Sequence, residues 1–423
     1  MSNFTSSSLK HPKSIIFVQP SVFYLYTVYL IFLVMGFGDA VGPIVSYSKE
    51  EYGFSYSLAQ LLSFFGFILY GILSIPLALC QYKYGKRKIL AYGLFAIFLG
   101  FCIAGGILWT EIIPSSSDIL CFVVLTISLL LVNAGAVALQ VAGNPLVRSV
   151  SREGRFASNL LFAQSVKAVG TACGFIIPTI GAVCLAADWK VLFPFCALFS
   201  LLVWGMLIST RREDPIVESG FSRSVRIFSV DSYKGYATML RYSENRKILF
   251  GALLFIGAVT SMSSGVPLLL EYRGHDIQQE GMLWAWSIFF FPVLIGRFLG
   301  GWILRKTTPP NLMVWSMWLA LIGVVFIFIH NDMSIYIGSI CVGFGFANIF
   351  PILFAVLLER NPDKEDLCSG LMMSTIVGGA IFPLIWGILA DLISVAFAFT
   401  VPAVSILYLL WLGLWVRRSG KIR

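Results

Sequence analysis

The chain has 423 residues, 58% of them hydrophobic and 12% charged, with a formal net charge of +9. A soluble protein carries about twice that charged fraction, and apolar stretches of about 20 residues, each long enough to cross a bilayer core of roughly 30 Å, recur from end to end. Composition thus excludes a soluble globular protein, and the positive excess, split among short loops on alternate sides of the apolar stretches, excludes a nucleic-acid partner.

The N-terminal "MSNFTSSSLKHPK" is polar and weakly basic, and the apolar run after it is too long for a signal-peptide core, so it is expected to be retained. Twelve spans follow, at 22–45, 58–80, 89–109, 119–145, 157–185, 191–209, 248–270, 281–303, 311–329, 334–358, 367–391 and 394–416. The one long connection, 210–247, is polar and basic, which divides the chain into an N-terminal six-helix half (1–209), a linker (210–247) and a C-terminal six-helix half with a tail (248–423). Lys10, Lys13, Lys83, Lys86, Arg87, Lys88, Arg148, Arg152, Arg155, the linker, Arg305, Lys306, Arg360, Lys364 and the tail with Arg417, Arg418, Lys421 and Arg423 fall on one side. Lys49, Lys190 and Arg273 fall on the other. The positive-inside rule places both termini and the linker in the cytoplasm. This is an all-α polytopic membrane protein, expected in the cytoplasmic membrane as a monomer with the lipid bilayer as its surroundings.

Ionisable and polar residues within spans point to function, because facing lipid is costly for them. Asp39, in "MGFGDAVGP", lies toward the outer end of span 1 and reads as a coupling carboxylate, as a counter-ion for a buried cation, or as a residue at the water interface. Span 4 ends "LQVAGNPLVR": Gln140 and Asn144 share a face, and Pro145 leaves the Val141 carbonyl without its usual donor. Uncharged amides beside a free carbonyl suit a hydroxyl-rich ligand or hydrogen-bond a neighbouring helix. Span 5 carries "AQSVKAVG", with Lys167 about 12 residues past Arg155 and so roughly 18 Å deep. Gln164, Lys167 and Thr171 share one face.

In the second half, "TSMSSGVP" predicts a broken span 7 with Ser261, Ser263, Ser264, Gly265 and Pro267. Asn348 stands in span 10 three residues before Pro351, and span 11 holds Gly378, Gly379 and Pro383. Trp284, Trp286 and Trp386 are of a type that stacks on a sugar ring or packs at an interface. The three histidines, His11, His275 and His330, fall outside the spans, which argues against an intramembrane metal site or protease. The eight cysteines have no paired spacing and read as small buried hydrophobes. No phosphate-binding loop of the GxxxxGK[ST] type is present, so energy must come from gradients.

Four segments carry a resemblance: "LQVAGNPLVR" with "NLLFAQSVKAVG", then "IGRFLGGWILRK", then "STIVGGAIFPLIWGILAD". In this order and in these spans they resemble the major facilitator superfamily, and within it the fucose permease branch, whose members also carry glucose and galactose. The loop "YGKRK" resembles the superfamily's loop motif, with Tyr82 where an Asp is usual. Against the fucose type, this chain has Gln140 in place of an acid, Pro43 in place of an Asp, and Lys167 in place of an Asn, and it is more similar to the glucose/galactose type.

The resemblance implies a twelve-helix fold in two pseudo-symmetric halves and a non-enzymatic secondary transporter of a hexose, coupled to a proton or sodium, with no cofactor. Its substrate cavity would be lined by Gln140, Asn144, Gln164 and Lys167 from the first half and by Ser261, Ser264 and Asn348 from the second. Asp39 would couple the ion or pair with Lys167. A transporter of sugar acids or other organic anions, with an unpaired Lys167 holding the carboxylate, is the alternative; a non-transporting sensor or a channel is another.

Overall fold

A computed structural model describes residues 22–109, 118–150, 156–185, 187–210, 230–275, 286–304, 306–329, 331–361 and 364–419. Among the loop, linker and tail residues named above, Lys10, His11, Lys13, Arg152, Arg155, Trp284, Arg305, His330, Lys421, Arg423 and linker residues 211–229 lie outside the described residues. Every regular element described is helical, as the bilayer requires of a chain whose backbone amides must bond internally. Among the described residues, eleven helices are long and apolar enough to cross a membrane, and a twelfth, shorter apolar helix runs over Ser287–Ile303. The twelve-span, all-α fold read from the sequence is the fold observed. Part of the linker, Val230–Arg241, is also helical; it buries Tyr236 and Met239 and sets its Gly235 against Leu367 at the start of span 11.

With an even number of spans, the first described helix starts and the last one ends at the same end of the bundle, here termed the linker end. The opposite, far end carries the turn between spans 1 and 2, closed by Gly53 at φ 64°, a conformation that favours glycine.

Two sequence expectations about broken helices are corrected. Span 7 is one continuous helix, Ser243–Tyr272, despite Pro267. Its hydroxyls bond back along the helix, Thr260 Oγ1 to the Ile256 carbonyl at 2.9 Å and Ser264 Oγ to the Thr260 carbonyl at 3.2 Å, and packing against span 1 on the Ser263 side supports the turn that Pro267 weakens. Span 1 instead is the broken one, as Val22–Phe37 and Val41–Tyr52. The Asp39 and Ala40 amides make tight turns to the Gly36 and Phe37 carbonyls at 3.0 and 3.2 Å, and Pro43 has no N–H for the Asp39 carbonyl. The span also runs to Tyr52 rather than to residue 45. Asp39 therefore lies in a mid-span break and not toward the outer end.

Close glycine contacts join the same helix pairs in both halves. Spans 3 and 4 meet at Gly93 and Gly135, and spans 9 and 10 at Gly323 and Gly338; in each pair an added Cβ would fall within 3 Å of the facing carbonyl. Spans 1 and 5 meet at Gly36 and Gly170, whose added Cβ would lie 2.0 Å from the Leu33 carbonyl. Spans 7 and 11 meet at Gly378, whose Cβ would lie 2.0 Å from the Leu253 carbonyl. Small residues permit backbone contact of this kind between membrane helices.

Spans 1–6 meet spans 7–12 through a set of polar contacts at the far end. Lys49 and Glu271 form an ion pair at 2.8 Å. The Asp391 carboxylate accepts from the Tyr56 and Ser57 amides at 2.9 and 2.7 Å and from the Ser57 hydroxyl at 2.5 Å. Deeper in, the Gln60 amide donates to Ser264 Oγ at 2.8 Å, and Gly42 lies so close to Ser263 that a Cβ would come within 2.1 Å of its hydroxyl oxygen. Trp386, fully buried, packs on Gly265 and stands edge-on to Tyr56 and Phe399.

Candidate functional site

The site begins with the Gly36–Gly170 contact. Because those two backbones touch, the break one turn later in span 1 brings Asp39 beside span 5. Lys167 Nζ lies 2.7 Å from Asp39 Oδ2, with 15% and 27% of the two side chains exposed. Both groups, in the middle of spans, are thus partly accessible rather than sealed.

The uncharged amides are arranged around this pair. Gln164 Nε2 donates to Asn144 Oδ1 at 3.1 Å, linking spans 5 and 4. Gln140 Nε2 donates to the Tyr70 hydroxyl at 2.9 Å, and both groups are buried. Thr171, predicted on the Lys167 face, turns its hydroxyl back onto the Lys167 carbonyl at 3.3 Å. Arg297 reaches across from span 8: its Nη1 donates to the Gln164 carbonyl at 3.4 Å, and its Nε is buried with no hydrogen-bond partner among the described residues.

Of the residues expected from sequence, Asp39, Lys167, Gln164 and Asn144 come together, with Gln140 one turn below Asn144. The second-half residues stand elsewhere. Ser264 bonds Gln60 in the far-end contact, and Ser261 is buried in the same helix without a partner among the described residues. Asn348 donates to the Gly296 carbonyl at 2.8 Å and fills the notch left by Gly300; it braces the turn of span 8 that carries Arg297. Arg297 is the functional candidate that sequence reading passed over. It sits in "IGRFLGGWILRK", quoted above only for its resemblance, yet it is a charge within an apolar span, the criterion that singled out Lys167.

Residues 27–366 match the Major Facilitator Superfamily. The chain belongs to that family. A glucose/galactose transporter of Brucella abortus biovar 1 (strain 9-941) is 25% identical over 406 residues, covering 93% of each chain. A putative glucose/galactose transporter of Helicobacter pylori (strain J99) is 24% identical over 418 residues, covering 91% of this chain and 94% of that one. Among solved structures, the E. coli fucose:proton symporter FucP superimposes with a TM-score of 0.64 at 16% identity, covering 93% of this chain and 98% of that one. At that identity the superposition establishes the fold, which is the superfamily's.

Proposed function

We propose that the chain is a secondary transporter of a hexose of the glucose/galactose type. It works without chemical conversion of the substrate, as a monomer in the cytoplasmic membrane with both termini in the cytoplasm. Residues 1–209 and 248–423 are the two moving halves, joined by the 210–247 linker. The observation that carries this reading is the Asp39–Lys167 pair at mid-depth beside the meeting of the halves, flanked by uncharged amides. The names and nearly full-length coverage of the relatives support the substrate class.

Gln164, Asn144 and Gln140 offer donors and acceptors to sugar hydroxyls, and Lys167 and Arg297 offer donors alone. Asp39 is the carboxylate at which a coupling proton or sodium competes with Lys167. Ser261 and Ser264 would join the cavity after the far end opens, since their present partners and neighbours belong to its closed contact. Asn348 acts through the turn it braces. With the far end closed while Asp39 and Lys167 keep partial access, the open route leads to the linker end, the cytoplasmic one by the charge of its loops.

Purified protein in liposomes is expected to take up labelled glucose or galactose in preference to fucose, and to respond to an imposed proton or sodium gradient. Absence of uptake of any hexose would defeat the proposal. Lys167→Ala is expected to abolish or alter uptake while membrane insertion, followed by protease protection of the loops, stays intact. Normal transport in that variant would make Lys167 structural.

A further inference from the structure

Span 12 carries an aromatic stripe that ends in a cation. Trp411, Trp415 and Arg418 stand at i, i+4 and i+7 of the helix Thr400–Arg418 and so share one face. That face meets the start of span 7 at the linker end. Lys247 Nζ lies 4.6 Å from the ring centre of Trp415 and 5.9 Å from that of Trp411. The Tyr408 hydroxyl donates to the Lys247 carbonyl at 3.2 Å, and Phe250 stands edge-on to the Tyr408 ring at 5.1 Å. Phe250 and Trp411 are 49% and 47% exposed. The groove between spans 7 and 12 is therefore aromatic at its inner part, roughly 10 Å before Arg418 along the helix, and cationic at its rim.

The rim cations are not matched. Arg360 of span 10 also lies over Trp415, at 4.7 Å, but it is held by the Glu244 carboxylate and donates to the Ser419 hydroxyl at 2.7 Å. Glu244 is thereby taken. Lys247 and Arg418 have no ion-pair partner among the described residues, and the rings give the three N–H donors of the Lys247 ammonium no oxygen. The groove thus fits an anion that brings an apolar body with it. A free phosphate would leave Phe250 and Trp411 unused. A second copy packed by this same face would add its own Lys247 and Arg418, like charge on like charge.

We propose that this groove holds one anionic phospholipid of the linker-end leaflet. Its phosphodiester is shared by Lys247 and Arg418, and its acyl chain lies along Phe250 and Trp411. Basic pockets between membrane helices take acidic headgroups in this way, and tryptophan suits the depth at which headgroup meets chain. The site belongs to the second half alone and stands apart from Asp39 and Lys167, so it is independent of which substrate the protein carries.

The test is native mass spectrometry of the full chain released from micelles of equal phosphatidylglycerol and phosphatidylcholine, with melting temperatures read in detergent beside it. Phosphatidylglycerol is expected to be retained in preference, with the first molecule held most tightly. Lys247→Gln and Arg418→Gln should each lower its retention roughly fivefold, the scale of one basic residue at an anionic membrane surface, and Lys247→Arg should keep it. Arg417→Gln removes the same charge from the same helix end but off the stripe, and should leave retention unchanged. Arg418 is exposed and its replacement disturbs no packing, so Arg418→Gln decides the matter even if Lys247→Gln lowers the melting temperature in lipid-free detergent. Equal losses in Arg417→Gln and Arg418→Gln would mean diffuse attraction to the basic end. Equal retention of phosphatidylcholine, stabilisation by glycerol phosphate alone, or chain pairs that vanish in Lys247→Gln would put something other than an anionic lipid in the groove. Each of these results would overturn the inference.

Discussion

Spans 1 and 7 begin the two halves and touch each other near the far end, yet they use their polar residues in opposite ways. Span 1 has glycines on both sides of Phe37 and breaks there, and the break puts one carboxylate into the interior. Span 7 has three serines and a proline between Ser261 and Pro267 and stays whole: Thr260 and Ser264 bond back along the helix and Ser264 meets Gln60 of span 2, while Ser261 and Ser263 have no partner among the described residues. The difference separates two tasks. A charged group needs a loosened backbone and a counter-ion to exist at depth. The deeper part of the contact between the halves uses small hydroxyls and glycine, which allow tight packing and part again without leaving a charge there, while the charged contacts, Lys49 with Glu271 and Asp391 with the start of span 2, stand nearer the far end.

The largest test of that separation is at Asp39. Asp39→Asn leaves Lys167 without its carboxylate, and breaking a buried pair in this way costs about 3–5 kcal/mol. Uptake is expected to fall by roughly 100-fold or more on that scale, with a lowered melting temperature. The double variant Asp39→Asn/Lys167→Gln should recover stability but not transport; additive losses in the two single variants would mean that the pair does not interact.

Next in size is Gly42→Val, which places its Cβ against Ser263 where span 1 meets span 7. It should hold the far end apart, so that a cysteine introduced at Ser46 reacts with an impermeant thiol reagent from outside several-fold faster than in the unmodified background. Asp391→Asn removes the charge from three hydrogen bonds to span 2; a shift of about 1–2 kcal/mol toward the open far end follows, read by the same labelling rate. The smallest effect belongs to Ser264→Ala. Loss of one neutral hydrogen bond to Gln60 amounts to about 1 kcal/mol, and uptake should change by no more than a few-fold. A Ser264→Ala effect as large as that of Asp39→Asn would erase the distinction between the two spans.

Much of the fold is legible in the sequence because membrane spans are a local signal. Twelve apolar stretches, the charge of the loops between them and the depth of Lys167 all follow from counting along the chain. Asp39 was harder to place. Loss of apolar character after residue 45 suggests an end to span 1, whereas the helix continues through Lys49, Glu50 and Glu51 to Tyr52 at the far end. Its pairing with Lys167 depends on the Gly36–Gly170 contact, a matter of shape between distant segments that composition does not encode. The break in span 7 was expected from serine, glycine and proline in sequence, but whether such a helix breaks depends on what its neighbour offers. Asn348 reads from sequence as a polar group in a cavity; that it braces the backbone of span 8 becomes visible only with Gly296 and Gly300 beside it.

The grip of Asp391 on the start of span 2 has one more consequence. Ser55 caps the Leu58 amide from within the first half, but the Tyr56 and Ser57 amides have their acceptor on the other half. When the far end opens, both amides and the carboxylate must be met by solvent. Each excursion to that state therefore takes up water molecules as reactants, and its frequency depends on water activity as well as on substrate. A solute excluded from the protein surface, such as sucrose, will hold this protein shut at its far end without touching the sugar site.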